Sequence, residues 1–322
     1  MKKKFAPHWA YYLLAILFFF NYSCKKIEKE EEKQIPLNIS SSNQIESEDY
    51  VFGEPKQNPY KVGNMQNAYS SLSSGGILPP TSITIRPTHY YVKFKPANFD
   101  QYEKLCEDSI LDLSDLPIEA NVLQYGEEYH DPSLPDSVPT FQYTAVPVGY
   151  SFNDTIPYEI LDNLYLPESD SLYFSENSGN QHYLEKLLDQ AYIQTGNFED
   201  TIKYDNEDYQ RRYYPGGRIQ VFDTRLNSFI GMEGVDVHAR RWFIVYHAQP
   251  DYNGYYRMKH RFNRPCNYSI VFHNIFFVIR RHLIATTYHI NGPKKTGDWN
   301  YNSQTVTSVL PVMFLEELID TR

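Results

Sequence analysis

The hydrophobic and polar positions divide this chain into segments of different rhythm. After a basic start, Met1–Lys4, comes an almost wholly apolar run, Trp9–Phe20. About 12 residues at 1.5 Å rise span about 18 Å, short of the roughly 30 Å hydrocarbon core of a bilayer. Residues 1–23 therefore predict a signal peptide and not a membrane span. Residues 24–58 are polar and charged, rich in Ser, Asn, Gln and Pro, and predict a disordered tether. From residue 59 the pattern changes. Val62, Met65, Ala68, Tyr69 and Leu72 recur at helical spacing, and Gly75–Gly76 stops them. Thr88–Pro96 alternates and is aromatic, a strand. Asn98 caps a helix on which Phe99, Tyr102, Leu105 and Cys106 share a face. Ser109–Pro117 predicts a short second strand and Thr140–Tyr150 a third. Ile156–Pro167, with Pro157 near its start, predicts a second helix.

The order strand, helix, strand, strand, helix makes residues 59–167 an α+β module. It contains most of the split β-α-β unit of a ferredoxin-like sandwich. Residues 168–215 form an acidic, Tyr-rich connecting region with one helix, His182–Tyr192. Residues 216–285 turn all-β. Strands are expected in Gly217–Thr224, in Met232–Gln249 as one long strand or two, after the turn at Asn253–Gly254, in Cys266–Asn274 and in Phe276–Leu283. Period-2 alternation points Val221, Val235, Val237, Tyr256 and Ile270 inward in an independent sandwich of about seven strands over Gly216 to about Ile279. Residues 286–322 do not continue the pattern clearly and read as a C-terminal tail. The fold class is thus α+β, a ferredoxin-like module followed by a β-sandwich.

Composition narrows the partners. The net charge is −10, and cleavage before Cys24 would remove three lysines and make the body more acidic. No basic stripe runs along any segment, so nucleic acid is excluded as a partner. The 29 Tyr and 19 Phe suffice for cores and for aromatic faces on strands. Cys106 and Cys266 lie far apart and read as buried free thiols, with a bridge between them as the alternative.

Ser23–Cys24 after the apolar run resembles the lipobox of bacterial lipoproteins, although Asn21 stands where Leu is usual. The resemblance implies diacylation of Cys24 and a lipid anchor in the outer membrane; an ordinary secretory signal with a chance Cys is the alternative. The charged run Lys25–Lys33 resembles the export signal of surface-exposed Bacteroidetes lipoproteins, which implies cell-surface exposure. Asp-Ser/Thr-apolar triplets place Ser109, Ser137, Thr155, Ser171 and Thr201 in a pattern that resembles the O-glycosylation acceptor of secreted Bacteroidetes proteins. Chance gives roughly one or two such triplets, and turn and cap chemistry explains them equally.

Gly234, Val235, Val237, Asp251, Gly254 and Tyr256 resemble the pattern of the carboxypeptidase-regulatory-like, or transthyretin-like (prealbumin-like), β-sandwich, over about 60 residues from Gly216 to about Ile279. That family's role is usually structural or accessory. The segments NPYKVGNMQNAY, THYYVKF, YHDPSLP, HARRWF and NGPKKTGDWN resemble a group of Bacteroidetes surface lipoproteins. Longer members run on past the last motif, so the chain is expected to be a truncated member.

Catalytic chemistry leaves little trace. His-Glu-x-x-His and Gly-x-Ser-x-Gly are absent. His282 and His289 flank an apolar stretch and read poorly as metal ligands, while His238 and His247 read as satisfied strand histidines. Cys106 reads as core. His130–Asp131, in the Pro-rich loop Tyr129–Asp136, is either a functional pair or part of a rigid turn. Arg240-Arg241-Trp242 is either a surface cation–π stack or the edge of the sandwich with Trp242 in its core. The expectation is therefore a binding or structural protein, not an enzyme, with no cofactor and no metal. Its partners would be a membrane through the lipid and an unknown protein or glycan ligand. Two alternatives stand beside it: the non-catalytic N-terminal region of a secreted, peptidase-like hydrolase, and an accessory protein of glycan capture.

Overall fold

The computed structural model describes residues 49–78, 84–126, 128–170, 181–201, 212–223, 226–273, 278–280 and 285–303. The signal segment, Cys24, the tether up to residue 48, Ser171, His282 and residues 304–322 lie outside them, and the tether expected to run to residue 58 is corrected over its described part, where Val51–Phe52 is a paired strand. Strand outweighs helix, 34% against 18%, which makes the molecule a β-rich α+β structure. Among the described residues no helix is long and apolar enough to cross a membrane.

Strand β1 (Val51–Phe52) leads into helix α1 (Val62–Ser74), which buries Met65, Ala68 and Leu72 on the expected face. Gly76, at φ +69°, ends it. Strand β2 (His89–Phe94) follows, then helix α2 (Phe99–Cys106), whose Asn98 cap accepts a hydrogen bond from the Gln101 N–H at 3.0 Å. Strand β3 (Val122–Gln124) pairs with β1 as a two-stranded ribbon. Strands β4 (Gln142–Pro147) and β5 (Tyr158–Leu164) flank β2 in a three-stranded antiparallel sheet, order β4-β2-β5.

Two expectations are corrected here. Residues 158–164, expected as the second helix, are an edge strand. Val92 pairs with Ile160 and Tyr91 with Asp162, so Leu161 is an extra residue in a bulge. The bulge shifts the alternation by one position and puts Ile160 and Leu161 side by side, which imitates a helical stripe. The segment 109–117, expected as a strand, is reduced to one bridge between Ser114 and Tyr143. Two of its carbonyls, those of Asp112 and Leu113, are taken by Arg240 Nη2 at 3.1 and 3.2 Å, so they are not in a ladder. The strand-helix-strand-strand-helix order behind the ferredoxin-like expectation is therefore not present.

Helix α3 (Gln181–Gln194) occupies the expected place in the connecting region. Its Leu184, Leu187, Leu188 and Ala191 join Met65, Ala68 and Leu72 of α1 in one hydrophobic cluster. The described residues from 216 onward build strands: β6 (Gly216–Asp223), β7 (Ser228–Gly231), β8 (Asp236–Arg241), β9 (Ile244–Ala248), β10 (Tyr255–Arg257), β11 (Cys266–Val271), β12 (His289–Lys295) and β13 (Tyr301–Ser303). One sheet has the order β10-β6-β13, with β7 also on β6; the other is β12-β11-β8-β9. Val235, Val237, Tyr256 and Ile270 are buried as expected, whereas Val221 is half-buried and Ile219 on the same strand is the core residue.

The boundary expected at residue 285 does not coincide with the sheets. Strand β12 pairs with β11, and β13 pairs in parallel with β6, so residues 289–303 complete both sheets. Between them Trp299 plugs the core: its ring lies 5.5 Å from that of Tyr268 on β11, and its carbonyl accepts a hydrogen bond from the Tyr256 hydroxyl on β10 at 2.9 Å. Gly217, at φ +145°, permits the approach, since a Cβ there would lie 2.0 Å from the Trp299 carbonyl oxygen. These strands alternate poorly because His289–Lys295 is an edge strand with one face outward. Nor is the sandwich a separate body. The same buried cluster runs through α1, β2, α3 and both sheets, and the described residues from 49 to 303 fall in one compact unit.

Removing the Trp299 ring leaves a cavity, and Trp299→Ala should lower unfolding free energy by about 3–5 kcal/mol. Gly254 sits at φ +86°, as expected for its turn, and a Cβ there would lie 2.1 Å from the Ile219 carbonyl oxygen. Gly254→Val should therefore cost more than the ~1–2 kcal/mol of the backbone conformation alone. Urea denaturation of both variants checks this; midpoints unchanged from the parent chain would show that neither contact supports the core.

Candidate functional site

Strand β8 alternates: Val237, Ala239 and Arg241 are buried, so Asp236, His238 and Arg240 share the other face. The turn after it, Trp242–Phe243, closes a two-residue hairpin between the paired Arg241 and Ile244. Trp242 stands at φ +52°, a position where glycine is the usual choice in such turns. It is held there by its buried indole, whose Nε1–H donates to Asp200 Oδ2 at 3.0 Å. That register places His247 of β9 directly opposite His238. On the far side of β8, His238 pairs with Ser269 of β11, and Ser269 with Asn291 of β12. A polar row, His247–His238–Ser269–Asn291, thus crosses four strands on one face of the sheet.

This face is the floor of a cavity of about 530 Å³. Its wall is the segment after α2, including Asp112, Asp115 and Ile118, with Tyr50 and Tyr125 at its rim. A carboxylate–imidazole chain runs along the floor. His247 Nε2 lies 2.6 Å from Asp112 Oδ1, and His247 Nδ1 lies 3.0 Å from Asp236 Oδ2. The same Asp236 oxygen lies 3.0 Å from His238 Nε2. Burial alone would raise the Asp236 carboxyl, but hydrogen bonds from both imidazoles outweigh it and hold the pKa down at about 2. Burial pushes His238 below its ordinary value. Burial acts the same way on His247, but its bonds to Asp112 and Asp236 prevail and push it up to about 9. Asp236, His238 and His247 each offer one donor atom within 4.8 Å of the others.

The expectation of two satisfied strand histidines describes the hydrogen bonding of each ring but missed that they face each other. The signal was present in Asp236-x-His238 and in the shortness of the loop before His247. The other candidates fall elsewhere. His289, on β12, borders the cavity, but among the described residues the close donor set does not include it. His130 bonds the Val138 carbonyl at 2.8 Å, and Asp131 accepts from the Ser133 N–H at 2.9 Å, so that loop is held by its own turn chemistry. Cys106 and Cys266 are free; Cys266 is buried, and desolvation raises the Cys106 thiol to about 11, the opposite of an activated nucleophile. Ser109, Ser137 and Thr155 are exposed, whereas Thr201 is half-buried and donates to the Phe198 carbonyl. Asp108 Oδ1 accepts from the Ile110 N–H at 2.9 Å, the turn chemistry weighed for these triplets.

Of the two expectations for Arg240-Arg241-Trp242, the surface stack is absent, while Trp242 lies buried in the core cluster at the hairpin to the edge strand β9. Arg240 fixes the Asp112 backbone. Arg241, buried, donates to the Tyr192 hydroxyl at 3.0 Å and to Glu168 Oε1, while Tyr192 and Tyr60 bond each other at 3.0 Å. Nearby, buried Arg264 pairs with Asp189 of α3 at 2.7 Å. The segment clamps the hairpin to the helical layer and so sets the cavity wall against its floor. Comparison with protein-family models, with curated proteins and with solved structures finds no match for this chain.

Removing a buried charge strands its partner. Arg241→Met should cost about 3–5 kcal/mol, because Glu168 is left without its guanidinium. Arg257→Ala, which breaks the exposed 3.5 Å pair with Asp298, should cost about 0–1 kcal/mol. Chemical denaturation of the two variants compares them, and equal small effects would contradict the clamp.

Proposed function

We propose that this chain is a membrane-anchored cell-surface lipoprotein with a binding role, held at the outer membrane by lipid on Cys24. The observation that carries the binding role is the cavity of about 530 Å³, lined with polar groups from all four strands of the β12-β11-β8-β9 sheet. A purely structural module gains nothing from a recessed polar face; ligand sites characteristically combine a hollow with a few convergent polar groups. The apolar run before Cys24 and the charged run after it support the anchor and the outward address, and the net charge of −10 disfavours nucleic acid. The two four-stranded sheets of residues 216–303 support a transthyretin-like sandwich, from which no activity is carried over. We read the chain as non-enzymatic. The hydrolase alternative drew on the ferredoxin-like order, which strand β5 removes.

Glycan capture remains a second reading because of one patch. Tyr50, Phe52, Tyr125 and Tyr129 stack or meet edge-on at 5.6–6.1 Å between centroids, with Phe52 and Tyr125 over 40% exposed beside the cavity rim. Aromatic faces of this kind suit sugar rings. O-glycosylation of the chain itself, at Ser109, Ser137 and Thr155 and with less access at Thr201, belongs to the same proposal.

Cell fractionation after fatty-acid labelling tests the anchor. The parent chain should carry label and sediment with membranes, and Cys24→Ala should do neither; an unlabelled parent chain overturns the reading. Intact mass of the same native protein reads the diacyl group and any hexose on the Ser and Thr acceptors. A glycan array on the soluble Cys24→Ala form decides between the two ligand classes.

A further inference from the structure

We propose that Asp236, His238 and His247 form a site for a divalent transition metal of the zinc class, with Asp112 as the carboxylate that orients His247. The inference goes beyond the binding role and does not depend on the anchor. It starts from donor spacing. Zinc bound at about 2.0–2.2 Å by N and O donors in tetrahedral array holds those donors about 3.3 Å apart. Asp236 Oδ2 is 3.0 Å from His238 Nε2 and 3.0 Å from His247 Nδ1, and all three donors lie within 4.8 Å. The two Asp236 edges need to open by only a few tenths of an ångström, and the His238–His247 edge is no longer than 4.8 Å.

The backbone holds the set rigidly. Asp236 and His238 are two apart on β8, so the pleat gives them one face, and ladder pairing puts His247 on the same face of β9. Ligands from two neighbouring strands of one tight hairpin lose little freedom on binding. The orienting group is in place as well. His247 uses Nδ1 toward the set, and Nε2 lies 2.6 Å from Asp112 Oδ1. A carboxylate on the second nitrogen fixes the tautomer and raises the basicity of the ligating one, the arrangement that recurs behind metal-bound histidines. Arg240 holds the Asp112 backbone through two carbonyl contacts, which makes it a positioning residue for that carboxylate.

Charge agrees. Zinc would displace the protons that the two imidazoles share with Asp236, after which Asp112 and Asp236 balance the dication, and Arg240 turns its guanidinium to carbonyl oxygens instead of to the donors. Two imidazoles and one carboxylate leave an open position, and the set borders the cavity. Water, or an anionic oxygen of the ligand, would complete the shell there. Two nitrogens and one oxygen suit zinc and its neighbours, and suit calcium or magnesium poorly, because those take mainly oxygen.

The test uses the full soluble chain, Cys24→Ala, stripped with chelator and titrated with zinc chloride by calorimetry. One zinc per chain is expected. His238→Ala, His247→Ala and Asp236→Asn should each abolish it. Asp112→Asn should keep one site and weaken it about 10–100-fold, and His130→Ala, which is not among the residues lining the cavity, should bind as the parent does. Cobalt substitution guards against misfolding of the ligand variants: the parent chain should give the intense visible bands of a four-coordinate ion, altered in Asp112→Asn. No stoichiometric zinc, or zinc retained equally by the three ligand variants, or a cobalt spectrum of the six-coordinate aqueous ion, would overturn the proposal.

Discussion

Arg241 leaves strand β8 inward and carries its charge into a region with almost no solvent, where Glu168 and the Tyr192 hydroxyl receive it. Taking a guanidinium out of water costs several kcal/mol, and only a well-formed set of acceptors offsets that cost. The acceptors come from outside the two sheets, from the short turn at Pro167–Ser169 and from α3. The helical layer therefore cannot move relative to the hairpin without stranding a charge on each side. Trp242, one residue on, repeats the constraint with Asp200, and Arg264 repeats it with Asp189. Three consecutive polar anchors, Arg240, Arg241 and Trp242, make the β8–β9 hairpin the element to which the rest of the molecule is fitted.

What lies on the opposite face of that hairpin follows from the same geometry. A turn of two residues leaves no freedom of register, so the partner of His238 is settled once Arg241 and Ile244 close the loop. Arg240 points the other way from Arg241 and takes the carbonyls of Asp112 and Leu113, which brings the Asp112 carboxylate onto His247. One strand thus binds the helical layer with its inner residues and builds the cavity floor with its outer ones. Asp236, His238 and Asp112 are each 16–38% exposed, half-covered by the wall that Arg240 secures.

Much of this was legible in the sequence. The helical stripe from Val62 to Leu72, the Asn98 cap, the helix inside the connecting region and the positive φ at Gly254 are local features, and local rules found them. The errors arose where distant pairing overrides local pattern. Strand β5 carries a bulge at Leu161 that only its partner β2 reveals. Residues 289–303 alternate weakly because β12 lies at an edge, and β13 pairs in parallel with a strand some eighty residues earlier, which no hairpin signal announces. The cavity was invisible for a related reason. Asp112 and His247 are 135 residues apart, and their contact depends on Arg240, a residue whose partners are backbone carbonyls and so leave no mark in composition. His238 and His247 were readable as a pair from the hairpin alone, had the closing residues been placed first.

The central claim is that buried charge makes the helical layer and the sheets one cooperative body. Native-state hydrogen exchange under increasing urea measures this directly, amide by amide. The clamp predicts that the slowest amides of α1 and α3 and those of β8 and β11 converge on a single free energy of opening and a single urea dependence. Amides of α1 and α3 that open at distinctly lower free energy, while β8 and β11 stay protected, would contradict it.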